Sequence, residues 1–286
     1  MKTLLFFGNC QLYAIKLKLH LDVSNYNCYH HECHTTNINI TDFTDQINKS
    51  DIIISQNISD NYRGGDYLNL NYILQTAKDK LIIIVPSCYF EFYYPDLKYL
   101  THNSTTLHDP SPYHYQFMID NFKNNGSIEN YITNYVNNIE LIGSEKLLEK
   151  ATNSINELTK RTNTLKDKIV DMSNVYTICI SNFIENNFKE KLLFYSMNHP
   201  TKYVIEFICE EIVNIVQIPN TINYGTNILD NTKCILYKCI QPLVHFDINK
   251  ETMKTCEHTD IFSIVESYHK IYSQLYSKTR ISQTRM

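Results

Sequence analysis

The chain has 286 residues, 43% of them hydrophobic and 20% charged, with 6 glycines, 9 cysteines, 22 tyrosines and no tryptophan. Lys+Arg 26 against Asp+Glu 30 gives a net charge of −4, so no global basic field points to nucleic acid. Scarce glycine excludes glycine-rich phosphate loops and flexible linkers, and the apolar content is ample for a real core and too high for a disordered chain.

The enrichment in asparagine and isoleucine reads as AT-rich coding, as in a large DNA virus or a low-GC microbe, and carries no chemistry. The longest apolar runs, Ile52-Ile53-Ile54 and Leu81-Ile82-Ile83-Ile84-Val85, are strand-sized. They fall far short of the roughly 20 residues that cross a bilayer, so no membrane span is expected. The start, Met1 to Phe7, meets Gly8-Asn9-Cys10-Gln11 without an A-x-A-like cleavage site and reads as a buried first strand rather than a signal peptide. Cys28/Cys33, Cys88, Cys179, Cys209, Cys234/Cys239 and Cys256 lack the compact spacing of a disulfide scaffold. Reduced thiols and a cytoplasmic location, the host's if the source is viral, are the expectation.

In chain order, residues 3–7 predict a strand, Gly8-Asn9-Cys10 a turn, and Gln11 to about Leu21 an amphipathic helix with Leu12, Ile15 and Leu19 on one face. Asp51 to Gln56 predicts a buried strand, Asn57 to Asp66 a polar loop closed by Gly64-Gly65, and Tyr67 to Lys78 a helix. Lys80 to Val85 predicts a third strand, ended by Pro86. Strand, loop and helix repeated over short connections indicate a parallel sheet with helices on its faces. From about Ser127 the pattern turns helical, with Leu147, Leu148, Ala151, Ile155 and Leu158 at three- and four-residue steps. Residues 177–180 predict a further strand, Thr201 to Val216 a helix, and Asp260 to Tyr276 another. The expectation is one α/β domain over residues 1–286, with the parallel sheet in about 1–125 and a mainly helical part in about 126–286.

Ligands of open parallel sheets bind outside the carboxyl ends of the strands. Those ends are Gly8 to Gln11, Gln56 to Arg63, and Pro86 to Asp96. Cys10 stands where a strand turns into a helix, whose positive end is expected to favour thiolate. Asn9, Gln11 and local backbone N–H groups are candidate oxyanion donors; the alternative is a buried cysteine beside a turn. His199, before Pro200 and a helix, is a candidate base, and His108, beside Asp109, is a second; each is also readable as a plain loop histidine. Asp60, Tyr62 and Arg63 suit a phosphorylated or hydroxyl-rich ligand, or simply form a solvated loop. Cys28-Tyr29-His30-His31-Glu32-Cys33-His34 resembles a metal cluster, yet lacks a distant second Cys/His pair at finger spacing, so no metal is expected. Lys160-Arg161, Lys166 and Lys168 read as a solvated helix face. No P-loop, Rossmann, G-x-S-x-G or H-E-x-x-H motif occurs.

Five ordered motifs give the chain a likeness to a known family. They are Gly8-Asn9-Cys10-Gln11; Asp51 to Gln56 followed by Asp60-Asn61-Tyr62-Arg63; Pro86-Ser87-Cys88-Tyr89-Phe90 running to Tyr94-Pro95-Asp96-Leu97; His108-Asp109; and Asn198-His199-Pro200-Thr201. Over about residues 3–220 the chain resembles the WcbI-like polysaccharide biosynthesis family. The resemblance implies an SGNH-like fold and acetyl-CoA-dependent transfer to a hydroxyl or amino group of a sugar or nucleotide sugar. It implies Cys10, His199, Asn9 and Gln11 as catalytic residues. Gln56, Asp60, Tyr62, Arg63, His108, Asp109, Asn198 and Thr201 would then bind substrate or coenzyme A. Ser196 stands where that superfamily has the aspartate three residues before its histidine, so another acid, such as Asp60 or Asp109, would have to orient His199. Action with, or fusion to, other glycan-synthesis enzymes fits the same reading. A carbohydrate esterase and a non-catalytic carbohydrate-binding protein that uses its many tyrosines are the alternatives.

Overall fold

A computed structural model describes residues 1–34, 38–60, 62, 67–102, 105–218, 222–255 and 258–283, with side chains to residue 276. The principal elements are β1 (Lys2–Gly8), α1 (Cys10–Lys18), β2 (Tyr26–Glu32), α2 (Ile40–Lys49), β3 (Ile52–Gln56), α3 (Leu70–Thr76), β4 (Leu81–Val85), β5 (Leu97–Tyr99), β6 (Tyr113–Tyr115), α4 (Gln116–Lys123), α5 (Ser144–Lys168), β7 (Val175–Thr177), α6 (Ser181–Asn187), α7 (Lys202–Val216) and α8 (Ile261–Gln283). They build two compact units. The first comprises Met1–Tyr89, Ile155–Asn186 and His199–Leu229; the second Phe90–Ser154, Asn187–Asn198 and Asp230–Met286.

The first unit holds a five-stranded parallel sheet in the order β2-β1-β3-β4-β7. Parallel strands covered on both faces read as continuous apolar runs, and β3 and β4 do so because Ile52, Ile53, Ile54, Ile82, Ile83 and Ile84 are all buried. On one face Leu5, Phe7, Ile53, Ile82 and Ile84 pack with Phe43 and Ile47 of α2, Ile73 and Leu74 of α3, and Leu165 near the end of α5. The α/β expectation is met. Two elements, β2 and α2, escape the sequence reading. Strand β2 carries the Cys28 to Glu32 stretch that resembled a metal cluster. Pairing with β1 uses it as an edge strand, with His31 Nε2 2.5 Å from Gln46 Oε1 and His30 against the Tyr13 ring. Among the described residues no group of three His, Cys, Asp or Glu side chains is gathered as for a metal ion.

Helix α1 is fastened at both ends. Asn9 caps its start, its Oδ1 accepting from Gln11 N–H at 2.9 Å. At its end the buried Lys18 Nζ lies 2.9 Å from Glu206 Oε1 of α7 and donates to the Thr226 carbonyl at 2.6 Å. Gly225, at φ +87°, turns its N–H onto the same Glu206 oxygen at 2.9 Å. This pairing sets α1 against α7 and so sets the residue that starts α1 relative to the residues that precede α7.

In the second unit, β5 and β6 form an antiparallel pair, and the chain's tyrosine wealth is spent on packing. Tyr93, Tyr94, Tyr115, Tyr131, Tyr237, Tyr268 and Tyr272 are buried, and their hydroxyls find internal partners. Tyr93 donates to the Phe188 carbonyl, Tyr94 to the Phe194 carbonyl and Tyr268 to the Tyr113 carbonyl, at 2.6, 2.9 and 2.6 Å. These tyrosines are core, not the sugar-binding faces entertained from composition. Asp96 starts α4: its Oδ2 accepts from Phe117 N–H at 3.0 Å and from the Tyr237 hydroxyl at 2.9 Å, while its buried Oδ1 has no hydrogen-bond partner among the described residues. Burial pushes the Asp96 carboxyl up to about 6, against the pull of those donors.

Two outcomes follow from this packing. A methyl on Gly8 would meet Gln56 Oε1 at 2.6 Å and Leu12 Cβ at 2.9 Å. Gly8→Ala is expected to lower stability by about 1–3 kcal/mol in denaturant unfolding; unchanged stability would show that the close approach is not needed. Asp96 binds its proton more tightly folded than unfolded, so the parent loses stability as pH rises from about 3.9 through about 6. Asp96→Asn removes this titration. Its stability relative to the parent should rise between pH 4.5 and pH 7.5, by up to about 3 kcal/mol in urea melts.

Candidate functional site

The sheet order reverses direction between β1 and β3, the switch point at which ligands of open parallel sheets bind. Four sequence-predicted residues meet there. Gln56, at the end of β3, accepts from Asn9 N–H through Oε1 at 2.7 Å and donates from Nε2 to Gln11 Oε1 at 3.3 Å. Gln11 Oε1 also accepts from Cys88 N–H at 2.8 Å, and Gln11 Nε2 donates to the Cys88 carbonyl at 3.0 Å. Gln11 and Gln56 are fully buried, 2% and 0% exposed. Both amides therefore tie the ends of β1, β3 and β4 together. These bonds engage both amide oxygens and one donor of each Nε2 group. Asn9 belongs to the same frame, its Oδ1 capping α1 and its backbone N–H bonded to Gln56 Oε1.

What this frame presents is Cys10. Its Sγ lies 3.8 Å from His199 Nε2, across 189 positions of sequence. The start of α1, through the Gln11 and Cys10 backbone, pulls the thiol down. Yet burial pushes the thiol above its ordinary value, and the Glu32 carboxylate at the end of β2 pushes the same way. The helix terminus lowers it by less than these raise it, so the thiolate expected from sequence is not the resting form. Burial moves His199 oppositely, down to about 4, so its imidazole is neutral at physiological pH. The site holds a neutral thiol beside a neutral base.

The other candidates have the following surroundings within their own units. Asp60 is exposed and accepts from Asn71 Nδ2 at 2.5 Å; Tyr62 packs against the apolar face of the sheet. Arg63 and the Gly64-Gly65 pair lie outside the described residues. Thr201 is buried at the N-cap of α7. His108 and Asp109 are exposed residues of the second unit. In that unit Asn198 accepts from the Tyr113 hydroxyl at 2.7 Å and donates to the Tyr99 hydroxyl at 2.9 Å, and Ser196 donates to its Oδ1 at 3.3 Å.

A profile of the family described as polysaccharide biosynthesis enzyme WcbI matches residues 3–221. The chain belongs to the WcbI family. The matched stretch contains every strand of the sheet, Cys10 and His199. A solved structure, described as WcbI, a novel polysaccharide biosynthesis enzyme, as native protein without a disulfide bond between CoA and one of its cysteines, shares the fold. Its TM-score is 0.74 at 17% identity, over 99% of this chain and 97% of that one. Among curated proteins no sequence relative matches. No helix among the described residues is long and apolar enough to cross a membrane.

Two features of the first unit escaped the sequence reading. Arg161, taken for part of a solvated stripe, lines a cavity of about 260 Å³ with Asn57, Pro86, Ser87, Leu158, Thr162 and Leu165. Cys179, taken for a bystander, follows the carboxyl end of β7. Burial raises its thiol, but the Ser181 hydroxyl at 3.2 Å, the Ser181 N–H, the Thr162 hydroxyl and the Lys166 charge more than offset that and bring it below the ordinary value. The hydroxyl two residues on, at the head of a helix, was the available sequence signal. At pH 7.5, iodoacetamide should therefore modify Cys179 faster than Cys10, as read by peptide mass spectrometry. Faster modification of Cys10 would overturn the ordering of the two thiols.

Proposed function

We propose that this WcbI-family enzyme transfers an acetyl group from acetyl-CoA to a hydroxyl or amino group of a sugar during glycan assembly. The observation that carries the reading is the neutral Cys10–His199 pair, 3.8 Å apart at the switch point of a parallel sheet. A base held at about 4 is unprotonated at pH 7, ready to accept a proton and unable to hold it. That suits a relay. As the acceptor oxygen or nitrogen attacks the thioester carbonyl, His199 Nε2 takes its proton, and the same nitrogen returns it to the departing CoA sulfur. No net proton is gained or lost.

Cys10 has a different task in this scheme. A thiol raised by burial and by Glu32 beside an imidazole lowered by burial disfavours proton transfer from one to the other, so direct transfer is preferred to an acetyl-cysteine route. The Cys10 backbone N–H and the Asn9 side-chain amide, at the positive start of α1, are the donors this reading assigns to a developing oxyanion. Cys10 then shapes the place where the thioester lies. The solved relative, described in terms of CoA and a cysteine able to bond it, supports a cysteine at the thiol end of the donor.

Steady-state kinetics with acetyl-CoA and a panel of amino and deoxy sugars test this. His199→Ala should lose about 10²- to 10⁴-fold in kcat. Cys10→Ala should retain kcat within about tenfold, since it removes no proton-transfer group. The wild-type kcat/KM should stay level from pH 8 down to about 5 and fall only as the imidazole protonates near 4. A Cys10→Ala loss as large as that of His199→Ala, or an acetyl adduct on Cys10, would replace the direct route by the covalent one. Release of acetate without an acceptor sugar would make the protein an esterase.

A further inference from the structure

A larger cavity, of about 440 Å³, lies at the other end of the sheet from Cys10. Ile82 and Val175, which pair at the first rung of β4 and β7, form part of its floor, whereas Gln56 ends β3 and Cys10 follows the end of β1. Leu74 of α3 and Ala77, which ends that helix, complete a buried apolar floor. The facing wall is the last turn of α5 and the chain that follows it, from Lys168 to Asn174. All of these residues belong to the first unit. The volume falls within the range of small-ligand sites, about 300–1,000 Å³, and no step of acetyl transfer uses the cavity.

Its polar groups are of two kinds. Asn174 Nδ2 donates to the Lys78 and Lys80 carbonyls at 3.0 and 2.5 Å, and Asn71 Nδ2 donates to Asp60 Oδ2 at 2.5 Å. With their amide nitrogens so engaged, both side chains offer their oxygens, which accept hydrogen bonds from hydroxyl groups. Lys78 and Lys168 bring two ammonium groups to the lining against the single carboxylate of Asp171. That local excess of positive charge, in a chain whose net charge is −4, suits one anionic group. Hydroxyls for the amide oxygens, an anion for the lysines and an apolar face for Leu74, Ile82 and Val175 together describe a sugar ring that carries a carboxylate or a phosphate.

We infer that this cavity is a second carbohydrate site, which takes an acidic sugar unit with Lys78 and Lys168 on its anion and Asn71 and Asn174 on its hydroxyls. A polysaccharide biosynthesis enzyme meets its glycan as a chain, and a site away from the reacting atoms retains one unit of that chain while another is processed. Lys78 and Lys168 are binding residues and take no part in the chemistry at Cys10 and His199. Such a site does not depend on acetyl transfer.

Calorimetric titration of the full chain with digalacturonate, glucose 1-phosphate and maltose tests the assignment without any turnover. One of the two anionic probes should bind about tenfold or more tightly than neutral maltose, and which one does so identifies the anion as carboxylate or phosphate. Lys78→Glu and Lys168→Glu should each weaken that probe by about 3- to 10-fold, the effect of reversing one exposed charge. Lys160→Glu, on α5 but outside the cavity, should leave it within about twofold. Added salt should weaken it as well. Gln75→Trp, at an exposed position of the lining, should block all three probes. Equal binding of maltose and the anionic probes, an equal loss in Lys160→Glu, binding that survives Gln75→Trp, or no binding of any probe overturns the site. Each of these outcomes leaves acetyl transfer, which is read by turnover with acetyl-CoA, where it stood.

Discussion

Gln56 and Gln11 are buried amides at the end of a sheet otherwise filled with isoleucine, leucine and phenylalanine, and each is tolerable there because its hydrogen bonds are made inside the protein. An unsatisfied buried amide costs a few kcal/mol, so the set Asn9 N–H, Gln56, Gln11 and Cys88 N–H and carbonyl stands or falls together. Its geometry needs Gly8 to carry no side chain. The reason is space: Gly8 is not in the left-handed region that glycine alone occupies freely, but Gln56 Oε1 fills the position of its missing Cβ. With the far end of α1 held by Lys18 and Glu206, the start of that helix, and Cys10 with it, has one place to be.

The electrostatics of that place come out differently from what a helix terminus alone would produce. A helix end contributes fractions of a charge, and here it lowers the thiol only modestly. Desolvation acts on the whole thiolate charge and wins, aided by Glu32. The same desolvation takes the positive charge from His199. One cause, burial, thus moves both partners away from an ion pair and towards a base that is active at neutral pH. Cys179 shows the converse: with hydroxyl donors and Lys166 near it, a partly buried thiol falls below its ordinary value although no proposed step uses it.

The second unit solves a different problem with the residue the sequence has in excess. Tyrosine fills volume like phenylalanine but must place a hydroxyl, and here the hydroxyls reach main-chain carbonyls, one another, as Tyr131 and Tyr237 do at 2.8 Å, or Asp96. Such a core is specific because each ring has an oxygen to satisfy. The Tyr94-Pro95-Asp96 motif that contributed to the family resemblance belongs to this packing, with Asp96 starting α4.

Much of the first unit was legible in the order of residues. Apolar runs marked β1, β3 and β4 because parallel strands are buried on both faces, three-and-four periodicity marked α5, and His199-Pro200 marked the start of α7. Strand β2 was not legible: Tyr26 to Glu32 is polar and half-exposed throughout, since an edge strand is held by its ladder to β1 and not by apolar side chains. Helix α2 was readable in principle from Asn39 before Phe43 and Ile47. Of the site, the Cys10 turn was visible because it is local, and His199 was a candidate because it precedes a helix. Sequence by itself therefore determined the strand-turn-helix that offers a cysteine and the histidine that could serve it. Tertiary structure alone decided that the two meet, that Gln11 and Gln56 belong to the frame, that both reactive groups rest neutral, and that Arg161 faces a cavity. Pairing across 189 residues and loss of solvent are properties of the packed chain, set by neighbours that no local pattern specifies.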